Sequence, residues 1–76
     1  MIFNIIDNNQ HHFPFGFCVI SGNMIILEQY LLNTYGKEYI GYINTSGTWF
    51  KIGRYIWFNN QTDRDVVISK FRKKKI

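Results

Sequence analysis

The segment TWFKIGRYIWFN, residues 48–59, is the most β-prone run in the chain and decides the fold class. Aromatic and β-branched side chains, which favour strands, fill it on both sides of Gly53-Arg54. A glycine in first position suits a two-residue type II′ hairpin turn. Such a hairpin pairs side chains on each face of a sheet: Phe50 with Trp57 on one, and Trp49 with Phe58 on the other.

One long bent strand with a bulge at Gly53-Arg54 explains the same segment, and the sequence does not decide between the two. The long strand turns four side chains outward together: Trp49, Lys51, Tyr55 and Trp57. Aromatic rings interleaved with a cation can stack on nucleic-acid bases or anchor a protein interface. In either arrangement we expect at least one tryptophan to be accessible to solvent, with Arg54 beside it.

Three further segments alternate as strands do. Ile2 to Ile6 is a short β-type run that ends in a turn cluster of Asp and Asn. Phe13 to Ile20 is predicted as a second strand, with Pro14 near its start, where a missing N–H is tolerated. Glu38 to Asn44 alternates again before a Thr-Ser-Gly turn.

Helical spacing occurs in one segment and helical charge order in another. Met24 to Tyr35 has apolar residues at i, i+3 and i+4, which predicts a helix with Asn23 as its N-cap and Gly36 as its C-cap. Thr62 to Asp65 supplies a capping residue and acids before an apolar run, so a short helix is favoured there over another strand.

Length and composition indicate one domain over residues 1–76. Hydrophobic residues make up 46% of the chain and aromatic residues 18%, which supports a core without covalent staples. The sequence therefore predicts an α+β fold: a small antiparallel sheet of four to five strands packed against one helix, with a short C-terminal helix favoured. Residues 70–76 form a basic, frayed tail in this prediction.

Several features bear on location and origin. The single cysteine, Cys18, excludes a disulfide framework, so a reducing compartment is expected. Met1 to Asp7 lacks the basic start of a secretory signal, and residues 15–32 are too polar for a membrane span. We therefore expect a cytoplasmic protein without membrane association. The chain has no alanine and is rich in residues with A/T-rich codons, as in many phages and mobile elements.

Residues for catalysis or metal binding form no recognisable pattern. The sequence has no nucleophile elbow and no phosphate-binding glycine loop. Its imidazoles and thiol are His11, His12 and Cys18, and adjacent histidines in an extended segment point to opposite faces. We therefore expect no enzyme, no metal site and no cofactor. A ribonuclease-like role for either histidine with Arg54 or Arg72 is the weakest of the functional hypotheses.

Binding is the function class that remains. Ile25 and Leu32 lie outside the main apolar stripe of the predicted helix, so we expect them to be partly exposed and to belong to a partner or self-association surface. The leading hypothesis is a phage-type accessory protein that docks on and inhibits a host protein or nucleoprotein complex in the host cytoplasm. Its candidate partner-binding residues are Trp49, Lys51, Arg54, Tyr55, Trp57, Ile25 and Leu32.

The alternative hypothesis is direct nucleic-acid binding. The cations near the C-terminus can neutralise phosphates, and the chain as a whole has a formal net charge of +4. They are Lys70, Arg72, Lys73, Lys74 and Lys75. A solvated terminus that keeps an apolar protein soluble explains the same residues.

Overall fold

The computed structural model describes residues 1–7 and 12–72, which form a four-stranded antiparallel sheet and two helices. In chain order the elements are β1 (Ile2–Asp7), β2 (Phe15–Ser21), α1 (Met24–Tyr35), β3 (Trp49–Ile52), β4 (Tyr55–Phe58) and α2 (Gln61–Phe71). The strand order across the sheet is β1-β2-β4-β3. The predicted α+β fold is confirmed, and the C-terminal segment is helical.

The β3–β4 segment is a hairpin, so the single long strand is wrong. Gly53 has φ 60°, whereas Arg54 has a negative φ, as a type II′ turn requires. Trp49 pairs with Phe58, and Phe50 pairs with Trp57. The chain reverses at the glycine because a left-handed φ carries no steric penalty there.

Both helices pack on the same face of the sheet, which we call the helix face. One cluster of buried side chains joins the strands to the helices. Its members are Phe17, Val19, Trp49, Ile56 and Phe58 from the strands, with Leu27 and Leu31 from α1 and Val67 and Ile68 from α2. Alternation along each strand places the intervening residues on the opposite face.

The helix ends follow local capping chemistry. The Asn23 side chain accepts a hydrogen bond from the backbone N–H of Ile25, and Gly36 ends α1, as predicted. For α2 the N-cap is Asn60 rather than Thr62. Asn60 accepts from the Asp63 backbone N–H at 2.8 Å, and its amide donates to the Asp63 carboxylate at 2.8 Å. The first bond satisfies one backbone N–H in the first turn of the helix, and the second joins the two side chains.

Glu38 to Asn44 is not a strand, contrary to the prediction. The segment folds back on itself, with an isolated bridge between Ile40 and Asn44 and a positive φ at Gly41. The Asn44 side-chain amide donates to the carbonyls of Lys37 and Glu38 at 3.1 and 2.9 Å. These bonds hold the segment in a compact loop, so its alternating apolar residues form no strand of the sheet.

This loop also blocks the outer edge of β3. The Tyr39 N–H donates to the Trp49 carbonyl at 2.6 Å, and the Lys51 N–H donates to a Glu38 carboxylate oxygen at 3.0 Å. We call these two contacts the β3 cap. They occupy main-chain groups that an added strand needs. The opposite edge of the sheet is β1.

Candidate binding surface

The face of the sheet turned away from the helices is the candidate binding surface, and we call it the open face. No helix within residues 1–7 and 12–72 packs on it, since α1 and α2 both contribute to the core of the helix face. Strand alternation and register assign its side chains. They are Asn4, Ile6, Gly16, Cys18, Ile20, Phe50, Ile52, Tyr55 and Trp57.

Trp57 lies across the neighbouring strand at Gly16, its cross-strand partner. A Cβ atom added to Gly16 would lie 2.4 Å from Cε3 and 2.8 Å from Cζ3 of the indole. The absence of a side chain therefore lets the ring lie against the backbone of β2. On the other side, Trp57 pairs with Phe50 of β3. The middle of the open face is thus aromatic and held in place by backbone geometry.

A shallow apolar cavity of about 370 Å³ lies at one end of the open face. Its walls are His12, Phe13, Tyr39, Phe50, Ile52 and Trp57. The Phe13 ring meets Phe50 edge-on at 5.1 Å and Tyr39 at 4.9 Å between centroids. The volume falls at the small end of the range for ligand pockets. Five of the six walls are apolar or aromatic, so the cavity suits an apolar or aromatic group.

Two of the predicted partner-binding residues belong to the helix face. Trp49 is 2% exposed, and its indole N–H donates to the Gly36 carbonyl at 3.0 Å. The Lys51 ammonium pairs with Glu28 of α1 at 2.9 Å. The common outward face with Trp57, which only the long-strand alternative predicted, is wrong, because the hairpin reverses the alternation after Gly53.

The other two aromatic candidates, Tyr55 and Trp57, share the open face. Tyr55 is exposed and Trp57 is partly buried. Arg54 binds main-chain carbonyls at the end of β2. Its Nε donates to Val19 at 2.7 Å and its Nη2 to Gly22 at 3.0 Å. The guanidinium therefore fastens the hairpin turn to the neighbouring strand.

The expected exposure of Ile25 and Leu32 is confirmed. Ile25 is 68% exposed, and Leu32 is exposed on the same side of α1. Ile26 is also exposed on this helix. Whether these residues bind a partner stays a prediction.

Of the C-terminal basic residues, the structure describes Lys70 and Arg72, and both belong to α2 rather than to the open face. Lys70 lies in α2 with its ammonium 5.6 Å from the Tyr30 ring centroid, and Arg72 is the C-cap of that helix. Lys73, Lys74 and Lys75 lie outside the described residues, as does His11. In the part of the chain that the structure describes, no group of three His, Cys, Asp or Glu side chains could hold a metal ion. Over the same residues, neither helix has the length and apolarity that crossing a bilayer requires.

The sequence prediction missed several open-face residues. The outward-facing set of the long-strand alternative did not include Phe50 or Ile52, and Phe13 and Tyr39 were not singled out. The hairpin alternative predicted the position of Phe50, because it paired this residue with Trp57 on the face opposite to Trp49. Tyr39 had no local signal, since its position depends on contacts between the loop and β3.

Comparisons with known proteins found no relative. No protein-family model matches the chain, and neither a curated protein nor a solved structure is significantly similar to it. The grounds for a functional proposal are therefore the fold and the open face.

Proposed function

We propose that this is a non-enzymatic binding protein that holds an apolar segment of a protein partner on its open face. The observation that carries the proposal is a sheet face on which neither described helix packs and on which Ile20, Ile52 and Tyr55 are exposed. Sheets in small domains bury an apolar face against another element. Contiguous exposed apolar surface typically marks an interaction site.

The composition of the open face supports a protein partner. Binding energy at protein interfaces is concentrated in a few large side chains, with Trp and Tyr enriched among them. Trp57 and Tyr55 supply such side chains in the middle of the face, and Ile52 is 61% exposed beside them. The cavity bounded by Trp57 and Phe13 is suited to one apolar or aromatic anchor side chain of the partner.

Among the residues that the structure describes, the separation of charge from aromatic surface favours a protein over a nucleic acid. Proteins that bind single-stranded nucleic acid combine stacking rings with cations along the same groove. Here Lys51 pairs with Glu28 on the helix face, Arg54 binds carbonyls, and Lys70 lies in α2. On composition alone, we extend the proposal to a phage-type protein whose partner is a host protein or nucleoprotein complex in the host cytoplasm.

The test is selection from a random peptide library on the immobilised protein, followed by affinity measurement through tryptophan fluorescence. We expect selected peptides to carry aromatic or branched aliphatic anchors. Tyr55→Ala should weaken them by about thirtyfold, the equivalent of a hot-spot loss of about 2 kcal/mol. Ile52→Lys should also abolish tight binding, because it places a charge in the apolar contact.

The matched control is Val66→Lys, which adds the same charge to α2 at a residue that is 47% exposed. It should leave peptide affinity within about twofold, since surface substitutions away from a contact have small effects. Equal binding by Ile52→Lys and the unsubstituted protein would contradict the proposal. Micromolar binding to a single-stranded oligonucleotide, with a log–log salt slope of about −4, would favour the nucleic-acid alternative.

A further inference from the structure

We propose that β1 is a self-association edge, on which a second copy of this chain adds its own β1 in antiparallel orientation. The inference concerns the edge of the sheet and is independent of the open face. It starts from the difference between the two edges. The β3 cap occupies the outer edge of β3, whereas β1 pairs with β2 on one side and with no other described strand.

The direction of the outer main-chain groups of β1 follows from its neighbours. Val19 N–H donates to the Arg54 carbonyl, so the main-chain groups of Val19 point towards β4. Alternate residues of a strand point their N–H and C=O groups to opposite sides. Cys18 and Gly16 therefore face β1 and bond with their partners Asn4 and Ile6.

The residues between these partners point outward. Phe3, Ile5 and Asp7 thus present a row of N–H and C=O groups at the edge, and none of these main-chain groups has a partner among residues 1–7 and 12–72. The strand carries no lysine or proline, the residues that commonly protect an edge. Its single charge, Asp7, is turned to Arg64 of α2.

A two-fold axis at Ile5 gives the pairing that fits this strand. It places Ile5 opposite its own copy and Phe3 opposite Asp7, and each such pair exchanges two hydrogen bonds. Ile5 is 50% exposed, so its side chain gains a cross-strand apolar neighbour. An axis at Asp7 would instead oppose two carboxylates, which is unfavourable. The self-complementary register is the reason for assigning a second copy rather than a foreign peptide.

Amide hydrogen exchange on the unsubstituted protein tests the register directly. As the protein concentration rises, the amides of Phe3, Ile5 and Asp7 should become more protected. Those of Asn4 and Ile6 should not change, since they already bond to β2. Sedimentation should show a monomer–dimer equilibrium over the same range. A monomer at all concentrations, with the three outward amides exchanging fast throughout, would overturn the proposal.

Two matched variants locate the interface. Ile5→Lys opposes two like charges at the axis and should raise the dimer dissociation constant at least about tenfold. Ile20→Lys adds the same charge at a comparably exposed isoleucine away from the edge and should leave the dimer intact. A dimer that survives Ile5→Lys, or that is lost in Ile52→Lys instead, would also refute the assignment. Peptide binding by the open face should be unchanged in Ile5→Lys, so the two proposals fail separately.

Discussion

Replacing Gly16 by alanine tests the central geometry of the open face. The added Cβ would lie 2.4 Å from Cε3 of Trp57 and 2.9 Å from the Ile56 carbonyl oxygen. Carbon atoms in contact are normally about 3.5 Å apart or more, so the ring must move by about 1 Å. Overpacking of this kind typically lowers the free energy of unfolding by about 1–3 kcal/mol. The intrinsic gain of alanine over glycine in a strand, about 0.5–1 kcal/mol, offsets part of it.

We therefore expect Gly16→Ala to lower the free energy of unfolding by about 1–2 kcal/mol. Urea denaturation followed by circular dichroism measures this change. In a Trp57→Val background the ring is gone, and only the contact with the Ile56 carbonyl oxygen opposes the gain of about 0.5–1 kcal/mol from alanine, so the same substitution should have an effect near zero. The difference is a coupling energy of about 1–2 kcal/mol, well above the additivity error of about 0.3–0.5 kcal/mol. Gly16→Ala should also raise acrylamide quenching, because Trp57 is displaced while Trp49 stays buried.

The control is Gly53→Ala, which meets no atom within 4 Å but places alanine at φ 60°. Its effect, roughly 1–2 kcal/mol, comes from the backbone and should be the same in both backgrounds. If Gly16→Ala has an equal effect with and without the Trp57 ring, the ring does not lie across β2. The proposed aromatic centre of the open face would then be wrong.

Three further substitutions test residues of the two helices. Ile25→Lys should change the free energy of unfolding by no more than about 0.5 kcal/mol in urea, because the residue is exposed; a loss of about 2 kcal/mol would place it in the core. Arg64→Met should lower the same quantity by about 1–3 kcal/mol, because Asp7 and the buried Gly16 carbonyl lose the guanidinium that donates to them; unchanged stability would show that these contacts contribute little. Burial, and next the charge of Asp63, raises the pKa of Tyr35 above its usual 10.0. The folded state therefore favours the neutral phenol. This preference contributes fully to the free energy of unfolding below pH 10.0 and is lost as the pH rises through the folded-state pKa. Tyr35→Phe should therefore raise the midpoint of alkaline unfolding, and an unchanged midpoint would contradict this assignment.

Local chemistry made the first helix predictable. Asn23 and Gly36 bound α1 as expected, because both caps depend on side-chain and backbone properties within one turn of the helix. The exposure of Ile25 and Leu32 followed from helical spacing in the same way. In α2 the charge order identified the helix, but Asn60 competed successfully with Thr62 for the cap.

Long-range pairing decided what the sequence left open or misassigned. The two arrangements of residues 48–59 have the same local preferences, and pairing of β4 with β2 selects the hairpin. The segment that begins at Glu38 alternates in a strand-like pattern. The Glu38 carboxylate nevertheless accepts a hydrogen bond from the backbone N–H of Lys51 on β3. The open face could not be derived from one strand, since it depends on which face both helices cover.

The β3 cap limits the size of any assembly built by strand addition. A sheet with two available edges can add copies without end and grow into a filament, as head-to-tail contacts do when they fail to close. Here Glu38 and Tyr39 occupy one edge, so pairing through β1 consumes the available edge of each copy. In the proposed assembly, growth therefore terminates at two chains with closed symmetry. The Tyr39 N–H and the Glu38 carboxylate, two groups of one loop, thus prevent strand addition at β3.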